Sequence, residues 1–350
     1  MATNRGRTRR SSGRVRTWET LDDEALLGVR FCDLRLRLED SLAWPALGRL
    51  QGELERRGLH FKPHAWLAEE WFSPDGVPGI AIPFFVAHAR LRALERRQMG
   101  EVEGGSRHWL IRILRHEAGH ALDAAYGLRR RPDWRAVFGR SSQPYPRDYA
   151  PRPSSQRYVL HLGHWYAQSH PTEDFAETFA VWLPQRSRWR SQYAGWPALE
   201  KLEYVDRTMR ELEGRRATNL DRRVIEPLAE NERTLREHFR RKGAHYQIDT
   251  TRTYDRALLR VFVPRTERPH GRLASGLLRE MRPQLRRLLV RRARMHPYIV
   301  DHVMRTATQR ARVLGLRVRG GRRQTQRDAL VLHERLMLQM LVRDRENFAL

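Results

Sequence analysis

His116-Glu117-Ala118-Gly119-His120 is the stretch on which the reading of this chain turns. It lies between Ser106, suited to cap a helix N-terminus, and Gly127, suited to the left-handed residue that ends one. The pattern predicts a helix over Arg107–Tyr126. At about 3.6 residues per turn, positions 116 and 120 project from one face, one turn apart. Two imidazoles so placed can share one Zn²⁺ at bond lengths of about 2.0–2.1 Å. Glu117 stands beside that face, where it can serve a metal-activated water as general base. Leu110, Ile113, Leu114, Ala118, Leu122 and Ala125 half bury the helix.

Zinc needs a third protein donor. The metzincin pattern asks for Gly at position 123 and His or Asp at 126, and Asp123 and Tyr126 exclude it. Glu173-Asp174-Phe175-Ala176-Glu177 offers two carboxylates one turn apart on a second helix, begun at Pro171 and ended at Pro184. Phe175, Phe179 and Trp182 of that helix turn into a core. One carboxylate binds the metal and the other orients a ligating histidine. His161, His164 and His170 lie close in sequence, as alternative ligands, oxyanion donors or plain loop histidines. Asp123 either bonds a ligand histidine or sits exposed on its helix. Tyr166 is either a buried structural residue or a phenol that donates to a developing oxyanion.

These motifs carry a resemblance. Ser73-Pro74-Asp75-Gly76-Val77-Pro78-Gly79, His116–His120 and His170–Leu183 together resemble the bacterial putative zinc-binding metallopeptidases, which belong with the gluzincins. The likeness spans roughly residues 20–190 and implies a zincin-like domain, one Zn²⁺ and a peptide or protein substrate. The Glu-x-Phe-Ala-Glu string is also similar to the glutamate helix of the anthrax lethal factor protease. That likeness implies that Glu173 is the metal ligand, that Glu177 supports a ligand from outside, and that Tyr166 assists the oxyanion. His116, His120 and Glu173 would then hold the ion, with Glu117 taking a proton from water and returning it to the leaving amine.

The rest of the chain sets the frame. Its 350 residues are 40% apolar and include ten tryptophans, enough for a buried core. The lone Cys32 excludes an internal disulfide framework and a cysteine-based metal cluster. No run approaches the ~18 apolar residues of a membrane span, and the Arg-rich start lacks the apolar block of a secretory signal. A cytoplasmic protein is the expectation. Trp44–Leu59 reads as helix and Phe61–Leu67 as a strand. Gly79–Phe85 reads as an edge strand because of Pro83. It either accepts an extended peptide or packs beneath the helix. Leu128–Arg157 reads as a surface loop. Helices are expected over Leu199–Leu212, Pro227–Phe239, Leu273–Arg294, Pro297–Leu314 and Arg327–Leu341. The predicted class is α+β, mostly helical, with a small sheet in the first half. Three parts follow: a disordered basic arm over 1–16, a metallopeptidase domain over 17–190, and an all-helical Arg-rich region over 191–350.

The net charge of +26 is uneven. Residues 1–16 carry six Arg and no acid, and residues 265–350 carry 21 Arg against seven acids, which leaves only +6 for the middle. All basic residues but Lys62, Lys201 and Lys242 are arginine, as a GC-rich genome would write them. The basic ends are a solvated surface or a dock for nucleic acid or another acidic partner. The rival to a peptidase is therefore a zinc-stabilised, catalytically silent module that binds such a partner through its C-terminal helices.

Overall fold

The computed structural model describes residues 17–99, 102–146, 152, 155–163, 165–246, 250–293 and 297–343. The basic arm over 1–16 and His164 lie outside the described residues. The fold is mostly helical α+β, built around two helices. The histidine helix spans Arg107–Tyr126, and its caps follow from sequence. Ser106 Oγ accepts the Trp109 N–H at 3.2 Å. Gly127 takes the left-handed conformation, φ 64° and ψ 34°, and its N–H closes on Asp123 O. A serine N-cap of this kind stabilises a helix by about 1 kcal/mol. The helix is sunk deeper than its apolar stripe suggests, because His116, Glu117, Gly119 and Asp123 are buried as well. Arg115 anchors it from another side, donating through Nε and Nη2 to the two oxygens of Glu53, each at 2.7 Å. Glu53 belongs to the helix Ala43–Glu55.

The glutamate helix, Pro171–Trp182, is buried along nearly all its length. Pro171 stands at its first turn, and the His170 side chain accepts the Thr172 N–H. At the other end Arg57 donates to the carbonyls of Trp182, Leu183 and Pro184, a cation placed where the helix dipole is negative. Phe175, Phe179 and Trp182 join Trp134, Phe138 and Tyr204 in the first hydrophobic core.

The two helices touch at Gly119. A Cβ there would lie 2.9 Å from Ala176 Cα and 3.3 Å from Ala176 O, so the contact is backbone against helix. Strands β1 (His64–Ala68) and β2 (Gly79–Pro83) pair in parallel, in the register His64↔Gly79 to Ala68↔Pro83. All of β2 is buried, and the Ala81 N–H is taken by Phe72 O at 2.8 Å on the side away from β1. The strand thus packs into the structure, with Phe72 bridging its outer side at Ala81.

Three segments depart from the sequence expectation. Leu128–Arg157 is no plain loop: it holds a 3₁₀ turn, Leu128–Arg130, and a helix, Pro132–Phe138. Leu128, Trp134 and Phe138 are buried there, a pattern the surrounding arginines and prolines obscure. The helix expected over Pro227–Phe239 begins later, as Leu235–Tyr246. A reciprocal capping box sets its start: Thr234 N–H donates to Glu237 Oε2 at 2.9 Å and Glu237 N–H to Thr234 Oγ1 at 3.2 Å. Thr250–Val261 is an additional helix. Beyond it, Ala274–Ala293, Pro297–Val313 and Arg322–Arg343 form a bundle. A two-residue antiparallel clasp, Phe262–Val263 against Arg317–Val318, joins this otherwise helical region.

The described residues bury two main cores. One collects side chains from Trp18 to Phe239, and the other collects Trp165 with residues from Tyr254 to Met337. Trp189, Leu202, Val205, Met209 and Phe239 belong to the first. Among the described residues no helix is long and apolar enough to cross a membrane.

Gly119→Ala tests the helix contact by the sign of its effect. Propensity alone favours Ala mid-helix by about 1 kcal/mol. Overpacking against Ala176 should reverse this and cost about 1–3 kcal/mol. Thermal unfolding of the variant should therefore show a lower midpoint; a higher one would mean the two helices are free to separate.

Candidate metal centre

The close approach of the two helices delivers three donors to one point. His116 Nε2 lies 3.0 Å from Glu173 Oε2, and His120 Nε2 lies 3.1 Å from the same oxygen. The two Nε2 atoms are 3.1 Å apart. Donors about 2.0–2.1 Å from a tetrahedral ion stand ~3.3–3.4 Å from each other, so this triangle needs to widen by only a few tenths of an ångström to hold zinc. The residues present fit the ion: His116, His120 and Glu173 can hold a metal. His116 and Glu173 are buried, and His120 is the partly exposed member.

The surroundings orient these donors. His116 Nδ1 lies 2.9 Å from Glu177 Oε1 and donates to it, so that Nε2 is the ring nitrogen facing Glu173 and His120. The other Glu177 oxygen accepts the Leu162 N–H at 2.8 Å. Burial works against a charged His116, yet hydrogen bonds and charge from Glu173 and Glu177 push its pKa well above the usual imidazole range. Burial likewise opposes a charged Glu173, and the charge of His120 with hydrogen bonds from both histidines holds it well below the usual carboxylate range. This pocket favours positive charge at the point where the three donors meet.

Glu117 is buried, and its Oε2 accepts from Ser73 Oγ at 2.9 Å. Ser73 Oγ also lies 3.2 Å from Glu117 O, so the Ser73–Gly76 turn is pinned against the histidine helix. Tyr166 opens a 3₁₀ turn, Tyr166–Gln168, and its ring centroid lies 5.5 Å from that of His116. The preceding Trp165 is left-handed at φ 54° and packs in the second core. Residues beside the candidate centre are thereby attached to the C-terminal bundle.

The other candidates go elsewhere. His161 is buried and donates from Nε2 to Arg112 O at 2.9 Å. Burial pushes its pKa down to about 4, so it is a neutral structural histidine. His170 caps the glutamate helix, and its Nε2 donates to Gln143 O at 3.0 Å. Asp123 is neither exposed nor bonded to a ligand histidine. It is buried and paired with Arg129, whose guanidinium also reaches Asp75 at 2.7 Å. This links the end of the histidine helix to the turn that carries Ser73.

Sequence reading missed Tyr145. Its hydroxyl donates to Glu173 Oε1 at 2.7 Å, from a Pro-rich stretch in which no spacing marks it.

Residues 75–194 match the family of putative zinc-binding metallo-peptidases. The matched span contains both central helices, all three donors, Glu117, Tyr145, Tyr166 and Glu177; Ser73 precedes it. No curated protein and no solved structure matches the chain.

Elemental analysis of single variants should rank the two carboxylates of the candidate metal site. Glu173→Ala should lose stoichiometric zinc. Glu177→Ala should retain it, with affinity lowered about 10–100-fold as for other groups that orient a ligand histidine. The opposite ranking would exchange their assignments.

Proposed function

We propose that this chain is a zinc-dependent peptidase in which His116, His120 and Glu173 hold one ion and Glu117 is the general base. The observation that carries the reading is the convergence of those three donor atoms inside the span that matches the family model. A zinc ion held there supplies Lewis acidity, polarising a peptide carbonyl and drawing the pKa of water toward about 7. Glu117 then accepts the proton of the attacking water and returns it to the leaving amine. Ser73 holds the Glu117 carboxylate through Oε2, leaving its other oxygen for that exchange. Tyr166, placed against His116, donates to the carbonyl oxygen as it becomes negative. Glu177 keeps His116 in the tautomer that offers Nε2. The substrate class is peptide or protein.

The alternative, a silent zinc module that docks on an acidic partner through its C-terminal arginines, holds the same zinc and cleaves nothing. One comparison separates the two. Wild type should hydrolyse members of an unbiased peptide library. Glu117→Gln should keep its zinc and lose at least about 100-fold in kcat, the usual scale for a positioned acid–base group. Full activity in Glu117→Gln would overturn the base assignment, and a zinc-loaded wild type that cleaves nothing would favour the silent module.

A further inference from the structure

A buried carboxylate with two oxygens can offer a metal either one or both, and something must choose. In Glu173 the two oxygens have different partners. Oε2 faces the imidazole nitrogens of His116 and His120 at 3.0 and 3.1 Å. Oε1 faces the hydroxyl of Tyr145 at 2.7 Å. Glu173 is only 4% exposed, so an Oε1 left without a donor would be costly to keep buried or would turn toward the ion.

Tyr145 is itself fixed. Its ring stacks on the His170 imidazole, with centroids 3.9 Å apart and planes inclined by 15°. Its hydroxyl lies 2.6 Å from Thr172 Oγ1. His170 is the cap of the glutamate helix and is tied to Gln143 O. Gln143 and Tyr145 thus dock side by side on the first turn of the helix that bears Glu173, although 49% of Tyr145 remains exposed. A side chain half in solvent has no packing need to reach a buried carboxylate, and what its hydroxyl accomplishes is to occupy one oxygen.

We propose that Tyr145 is a positioning residue that holds Glu173 Oε1, so that Glu173 offers the metal a single oxygen, Oε2. This rests on the metallopeptidase reading and adds to it a division of labour between two phenols. Tyr145 sets the ligand carboxylate, and Tyr166 stands against the histidine.

Tyr145→Phe keeps the ring on His170 and removes only the hydroxyl. In the full-length protein, competition with a chelating dye should show zinc affinity about 10–100-fold weaker than wild type. The zinc-free variant should still unfold cooperatively, at a somewhat lower midpoint because Glu173 Oε1 is then buried without a donor. The visible absorption of the Co²⁺-substituted variant should weaken, because a carboxylate freed to bind through both oxygens raises the coordination number. Tyr166→Phe should leave zinc affinity and the Co²⁺ spectrum at wild-type values. Wild-type affinity and spectrum in Tyr145→Phe would overturn the assignment. So would unchanged affinity with a kcat at saturating zinc lowered by orders of magnitude, since the phenol would then act on substrate. Failure of wild type itself to take up either metal would instead remove the metallopeptidase reading on which the assignment rests.

Discussion

Two helices can bring side chains of both to one small ion only if their axes come close, and here the absence of a side chain at Gly119 permits it. Ala176 of the glutamate helix rests on that glycine, three residues beyond Glu173 and one before Glu177. His116 and His120 lie on either side of Gly119 in sequence. The same contact therefore sets the distance from the imidazoles to both carboxylates. A glycine inside a helix costs about 1 kcal/mol of intrinsic stability relative to alanine, and here the cost is offset by a helix approach that no larger residue allows. Interiors packed this densely transmit such a constraint over a full turn.

Polar contacts keep the histidine helix from turning about its axis or sliding along it. Glu53 grips Arg115 from outside, and Asp123 with Arg129 closes the C-terminal end and carries the link on to Asp75. Ser73, in the same turn as Asp75, reaches Glu117. The turn that resembles a family signature is thus bound to the helix at two places, the proposed base and the last turn. On the other side Glu177 and Leu162 fix His116, and Tyr145 occupies the spare oxygen of Glu173. Pairs as buried as Glu53 with Arg115 are expensive to break singly, because the survivor is left charged and dry.

What could be read from sequence was what repeats at helical spacing. His116, His120, Glu173 and Glu177 each have a partner one turn away, and Ser106, Gly127 and Pro171 mark helix ends by backbone chemistry that is local. The structure joins the two pairs, which local spacing alone could not do. Tyr145 and Ser73 are reached through loops, where no periodicity relates a residue to its partner 28 or 44 positions along the chain. The helix Pro132–Phe138 was hidden by its arginine-rich setting, although Trp134 and Phe138 lie one turn apart and both are buried. The late start at Leu235 was legible in principle, since Thr234 and Glu237 have capping-box spacing. Burial of Asp123 was not: an acid on a helix flank looks exposed until the arginine that neutralises it is known.

The C-terminal bundle has its own core, yet it holds Trp165, the residue before Tyr166. The arginine-rich part of the chain is in that way joined to the neighbourhood of the donors. Everything proposed for the site still depends on a cation being held by two imidazoles and one carboxylate from separate helices. X-ray absorption at the zinc edge of the zinc-loaded protein reads that arrangement directly. The account predicts one zinc per chain, ringed by light donors at about 2.0–2.2 Å with the multiple-scattering signature of two imidazoles. A shell without histidine, or one containing sulfur at about 2.3 Å, would contradict it.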